Sequence, residues 1–244
     1  MQAIWAICRR DLIHHFTTPL AWLVLAVWTF ITNGTFWYIL DQAHATGYWG
    51  QPIYLTAMAV GSFVLILLAP ALTMNSFAAE RGQGTMQLLL TVPITELQLL
   101  IGKFLTAALM LLVLLLATMI QPAILYFVSE TGGVQLLSGY LGMALCAIMF
   151  AALGTWISLL VDSPVASYVL TMGAIGVLFL VGALDSQHSP PAIATVGRVL
   201  GLQTHLDHFR QGDLRIADIA WFTGLTGIWL TLAHSALCAR RIHG

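Results

Sequence analysis

The chain has 244 residues, 59% of them hydrophobic and only 8% charged, and its net charge is −1. A soluble domain carries roughly 25% charged residues, so this composition excludes a water-soluble monomer and assigns an integral membrane protein. The net charge says nothing about partners, no basic patch points to nucleic acid, and the three cysteines, Cys8, Cys146 and Cys238, imply no disulfide framework.

Residues 1–18 are too short and too polar to span a bilayer. Ile4, Trp5, Ile7, Cys8, Leu12 and Phe16 recur at helical spacing with Arg9, Arg10 and His14 between them, which predicts a helix lying in the membrane interface. Pro19 then turns the chain into the first span. That apolar segment is too long and too aromatic for the core of a cleavable signal peptide.

Stretches free of Asp, Glu, Lys and Arg locate six spans, near 20–40, 54–75, 99–127, 137–160, 165–184 and 219–238. Each holds the roughly 20 helical residues that a bilayer core requires. Gly47, Gly50 and Pro52 interrupt the long stretch 42–79 early, so it counts as one span. Lipid offers the backbone no partners, so the spans are helices. The chain is read as a single all-α domain over 1–244.

Six spans put both termini on one face. Arg9, Arg10, Arg81, Lys103, Arg240 and Arg241 lie on that face and only Arg198, Arg210 and Arg215 on the other, so the termini are expected in the cytoplasm. The loops 76–98 and 161–164 are then cytoplasmic and 185–217 is external.

The loop 76–98 concentrates charge in a chain that otherwise avoids it. Gly82 and Gly84 permit a turn after Glu80 and Arg81, "GTMQLLLT" is long enough for a short helix, and Pro93 ends it. Thr95-Glu96-Leu97-Gln98 is a capping box, so the third helix is expected to start near Thr95. The region 185–217 is half apolar, and either a re-entrant hairpin or a surface segment satisfies its composition. Asp218 is expected to cap the last helix.

No catalytic or metal constellation emerges. "IGKF" at 101–104 imitates the end of a phosphate loop but lacks its first glycine, its hydroxyl and a preceding strand, so this chain is not expected to bind ATP. His205 and His208, with Asp207 between them, and His188 read as solvated loop histidines rather than metal ligands. No charge falls at the centre of a span, which argues against an ion-coupled carrier. Thr29, Thr32, Asn33, Thr56, Gln121 and Thr171 are mild polar groups of the kind that pack helices together.

"ERGQGTMQLLLTVPITELQLLIGKF" at 80–104 resembles the first cytoplasmic loop of ABC-2 type permeases, most nearly the small GldF-like and, further off, NosY-like permeases. "GYLGMALCAIMFAALGTWISLLVDSPVASYVL" at 139–170 is similar to that family's fourth and fifth helices, and "HFRQGDLRIADIAWF" at 208–222 to the segment entering its last helix. The resemblance implies the ABC-2 exporter fold, with six membrane helices, an elbow helix over 1–18 and a cytoplasmic coupling helix. It implies that Glu80, Arg81, Gly84, Thr85, Leu88, Leu89 and Leu90 contact a separate ATPase, with Asp162 in a second, smaller contact. At that second contact the family often shows S-x-L-T-x-N-Q where this chain reads S-L-L-V-D-S-P.

The implied assembly is two permease halves, the second identical or related, with two copies of an ABC ATPase that bind ATP and Mg. No cofactor is implied for this chain itself. A large extracytoplasmic partner occurs in the gliding-type branch, and the implied location is the bacterial inner membrane. Thr56, Gly61, Thr171, Gly173 and Gly176 are the candidates for the dimer contact or the pathway. A subunit that transmits force to an extracytoplasmic partner without transport is the alternative.

Overall fold

Proline sets where several of these helices begin. Pro19, Pro164 and Pro191 each stand in the first turn of a helix, where the missing N–H has no partner to lose. The computed structural model describes residues 2–47, 51–84, 95–128, 133–182 and 190–243. Among these residues the chain is helical throughout its regular elements: α1 Gln2–Thr17, α2 Pro19–Thr46, α3 Gln51–Thr73, α4 Ala78–Gly82, α5 Glu96–Leu116, α6 Ile120–Val128, α7 Gly133–Leu160, α8 Pro164–Gly182, α9 Pro191–Leu200, α10 Leu202–Gln211 and α11 Ile216–His243. Six segments are long and apolar enough to cross a membrane: α2, α3 with α4, α5 with α6, α7, α8 and α11. The expected spans return in number and order.

The fourth span, α7, is the hub and packs against α3, α5, α8, α10 and α11. Cys146, Ala147, Met149, Phe150, Ala151, Ala152 and Leu153 are all buried, so no face of its middle is left open. Small residues let neighbours close in, which is how helices associate where lipid removes the hydrophobic drive. By contrast α2, α8 and α11 leave most of their apolar surface exposed, as lipid-facing helices do.

The third span is not the continuous helix expected over 99–127. It breaks at residues 117–119, between α5 and α6. Pro122 has no N–H to give to the carbonyl of Thr118, four residues back, and its ring crowds that carbonyl. The carbonyl instead accepts the Gln121 amide at 3.0 Å and the Tyr140 hydroxyl at 2.9 Å. Gln121 donates to Asn33 at 3.0 Å, tying the break to the first span. Tyr140→Phe is expected to cost about 1 kcal/mol, since Thr118 keeps one donor; thermal unfolding in detergent measures it.

The first helix divides its apolar residues between two surfaces. Ile7 and Cys8 are buried against α5, whereas Trp5, Ile13 and Phe16 stay exposed on the outer side. One stripe docks the helix and the other is left for a membrane interface. The turn into α2 is fixed by the Trp22 indole, which donates to the Phe16 carbonyl at 2.8 Å.

At the face opposite the termini the spans are uneven. α7 has 28 residues and rises about 42 Å, while α8 has 19 and rises about 28 Å. α7 ends and α8 starts at the turn 161–163, so α8 stops roughly 14 Å short of the far end of α7. The helices α9 and α10 fill this step. A Cβ added at Gly201 would stand 2.5 Å from Cα of Gly182 at the end of α8, and one at Gly142 would stand 2.7 Å from Cβ of Phe209. α10 therefore lies against the flank of α7. Arg210 reaches in from α10 to Asp207 at 2.6 Å and to Ser62 of α3 at 2.9 Å, with its side chain only 11% exposed. A segment between the fifth and sixth spans thus brings a further charge against the bundle.

Two expectations for this region are corrected. Asp218 does not cap the last helix, because α11 begins at Ile216 and Asp218 sits in its first turn, 2% exposed. His205 and His208 are not solvated, because both bind the Asp218 carboxylate and their side chains are 13% and 24% exposed. His188 lies outside the described residues.

Candidate functional site

The short helix α4 is held at its start, its front and its back. Its start follows the turn 74–77, where the Ser158 hydroxyl of α7 accepts the amides of Phe77 and Ala78, both at 3.0 Å, and donates to the Met74 carbonyl at 3.0 Å. One buried hydroxyl therefore satisfies three backbone groups that a helix end would otherwise leave unpaired. Nothing in the sequence marks Ser158, which looks like any serine in an apolar helix.

At the back, Arg81 donates to the Leu159 carbonyl at 2.5 Å and pairs with Asp162 at 2.5 Å. Gly82 presses so closely on the other turn that an added Cβ would meet the Asp162 carbonyl oxygen at 2.6 Å. Only glycine fits there. The end of α4 and the turn 161–163 therefore form one surface.

At the front, the Lys103 ammonium of α5 lies 2.6 Å from Glu80 and 3.2 Å from Asp11 of α1. Arg10 closes the ring, 2.8 Å from Asp11 and 3.6 Å from Glu80. Lys103 is 5% exposed and also stands over the Phe77 ring, 5.6 Å from its centroid. Beneath this ring of charges lies an apolar cluster of Ile7, Phe77, Leu99, Leu100, Leu159 and Leu237. α1, α4, α5, α7 and α11 meet there. A cavity of about 430 Å³ opens beside the ion pairs, lined by Asp11, His14, His15, Asn75, Glu80 and Lys103. Burial pushes the His15 imidazole below its ordinary value, and the neighbouring His14 adds to this.

The family resemblance implies that Glu80 and Arg81 contact a separate ATPase, and the geometry gives both of them contacts within the chain. Here both side chains are engaged inside the chain, Glu80 with Lys103 and Arg81 with Asp162, at 20% and 14% exposure. They brace α4. Asp162 keeps 71% of its side chain exposed. Gly84 follows with φ of 69°, a left-handed turn that glycine adopts freely.

The chain is fixed again at Thr95. Its hydroxyl accepts the Gln98 amide at 3.3 Å and its own amide donates to the Gln98 side chain at 3.2 Å, which is the expected capping box. Residues 85–94 connect these two anchored ends. Thr85, Leu88, Leu89 and Leu90 belong to that stretch and lie outside the described residues.

The candidates for a dimer contact or pathway separate into two groups. Gly61 does not face outward. A Cβ there would stand 3.1 Å from the Met143 methyl group and 4.0 Å from Trp28, so it serves the packing of α3 within this chain. Thr171 is fully buried, and its hydroxyl makes no hydrogen bond among the described residues. Gly173 and Gly176 have open space within 4 Å of where a Cβ would stand, and Thr56 is exposed on α3. Val165, Val169, Val177 and Leu180 continue the open face of α8.

Comparison with known proteins gives a consistent result. The sequence profile of a family described as "ABC-2 family transporter protein" matches residues 10–209. The probable ABC transporter permease protein NosY of Pseudomonas aeruginosa is 29% identical over 146 residues. That alignment covers 57% of this chain and 52% of the relative, so it spans about half the relative's length.

Proposed function

We propose, for a chain that belongs to the ABC-2 family of transporter proteins, the role of permease subunit in an ATP-driven exporter. The observation that carries this reading is the braced surface formed by α4 and the turn 161–163, which flanks the segment 85–94. A membrane half moves only if the closing of its ATPases reaches it as a rigid displacement. Here a push on α4 meets α5 through Lys103, α7 through Ser158 and Arg81, and α1 through Asp11. Leu88, Leu89 and Leu90 are the apolar groups offered to the ATPase cleft, and Asp162 adds a charge at its edge. A leucine anchor of this kind supplies contact energy, while charges at the rim set orientation.

The ATP and Mg belong to the partner, and two ATPase copies serve two permease halves. The second half, a copy of this chain or a related one, meets it along the open face of α8 at Gly173 and Gly176, where small residues allow close approach. Any extracytoplasmic partner engages the opposite face, around α9 and α10. The location is a bacterial inner membrane with both termini in the cytoplasm, where ATP is.

Labelling tests the orientation on which all of this depends. In a background without Cys8, Cys146 and Cys238, a cysteine at exposed Leu214 should react with an impermeant reagent from outside. One at exposed Gln83 should react only after the membrane is opened. The reverse pattern would put α4 on the side without ATP and end the coupling reading.

A further inference from the structure

The histidines of α10 hold unequal positions, and donor counting separates them. His205 places Nδ1 2.5 Å from Oδ1 of Asp218 and Nε2 3.2 Å from the Val199 carbonyl oxygen. Both neighbours accept. A neutral imidazole carries one N–H and can serve only one of them, so with Asp218 ionised the two bonds together call for the imidazolium. His208 places Nδ1 2.9 Å from Oδ2 of Asp218 and Nε2 3.1 Å from Nη1 of Arg215. The guanidinium only donates, so Nε2 of His208 accepts and that ring is neutral.

The surroundings of His205 favour the cation. Asp218 is buried in the first turn of α11, and its two carboxylate oxygens face the two histidines. A buried carboxylate without a cation would be strongly disfavoured. The Val199 carbonyl belongs to the last turn of α9, the negative end of that helix, and also accepts the Trp221 indole at 2.9 Å. The His205 ring stacks on Trp221 with centroids 4.4 Å apart.

Among the described residues, the other charges nearby have partners of their own. Arg210 pairs with Asp207 on α10, and Arg215 with Asp213 in the connecting segment. Arg198, next to Val199, makes its own contact. The nearby end of α8 carries no titratable side chain, α7 brings only Tyr140 and Cys146, and α3 only Tyr54.

We propose that one proton on His205 rivets α9 and α10 to the start of the sixth span, making the face opposite the termini a pH-operated clasp. Removing that proton leaves two acceptors competing for one N–H, and either the end of α9 or the contact with Asp218 is released. The inference does not depend on the coupling reading, since it concerns the other face of the molecule.

The test uses the full chain in lipid nanodiscs at about pH 5.5 and about pH 8.5, either side of the range in which histidine changes charge. Histidine-selective nitrogen NMR, assigned by His205→Gln and His208→Gln, should show an imidazolium at position 205 and a neutral ring at 208 on the acidic side. Amide exchange over 191–200, corrected for its intrinsic pH dependence, should be about tenfold faster at the higher pH. His205→Gln should exchange quickly at both pH values, and His208→Gln should keep the pH response. A neutral His205 throughout, or equal protection of α9 at both pH values, would overturn the proposal. The NMR on the unaltered chain decides the matter if the His205 variant fails to fold.

Discussion

Replacing Lys103 with methionine is expected to destabilise the chain by about 2–3 kcal/mol and to uncouple it from its ATPase. Removing one partner of a buried ion pair typically costs about 3–5 kcal/mol, because the other charge is left without compensation. The loss here is smaller because Asp11 and Glu80 keep 15% and 20% exposure and Arg10 stays close to both. Methionine preserves much of the stem's packing over Phe77, so the effect reports the charge. Thermal unfolding of the purified permease measures it. The triple variant Asp11→Asn, Glu80→Gln, Lys103→Met should recover most of the loss, since it leaves no stranded charge. Losses that simply add across the three sites would show that the charges do not act as a unit. ATPase binding should survive in the single variant while hydrolysis no longer drives the permease, because the cost falls on the brace and not on the contact.

What the sequence reveals here is mostly what is local. The capping box at Thr95 and Gln98 is readable because its parts lie within one turn, and both of its bonds form. The spans are readable because charge is nearly absent from them. Asp218 fails as a predicted cap for the opposite reason. Capping logic sees only its own helix, and the carboxylate is claimed by two histidines of α10. The break in the third span had a visible cause in Pro122, but an unbroken apolar run hid it.

Within the candidate site the charges were visible and their partners were not. Glu80 meets Lys103 across 23 positions, and Arg81 meets the Leu159 carbonyl across 78. No spacing rule reaches that far. Glu80→Ala would break the pair with Lys103 and so could not report on partner contact alone. Ser158 and Arg210 carried no signal, because a serine in a span and an arginine in a loop have bland roles far more often. The test of partner contact therefore moves to Leu88, Leu89 and Leu90, which lie outside the described residues and which the family resemblance places in the ATPase contact.

Leu89→Asp is expected to abolish most ATPase binding while leaving the permease folded. A leucine anchor lost from an interface typically removes about 1–2 kcal/mol, roughly tenfold in affinity, and a carboxylate buried in its place removes more. The direct measurement is binding of the cognate ABC ATPase to the purified permease, with ATP hydrolysis followed in the same samples. The unaltered chain, Leu89→Asp and Lys103→Met are compared, with Gln135→Ala on the opposite face as control. The account predicts that Leu89→Asp keeps the unaltered melting temperature and loses binding at least about tenfold, whereas Lys103→Met melts lower and still binds. Full binding and full coupling in Leu89→Asp would contradict it, and the segment 85–94 would then be a simple connection between two spans.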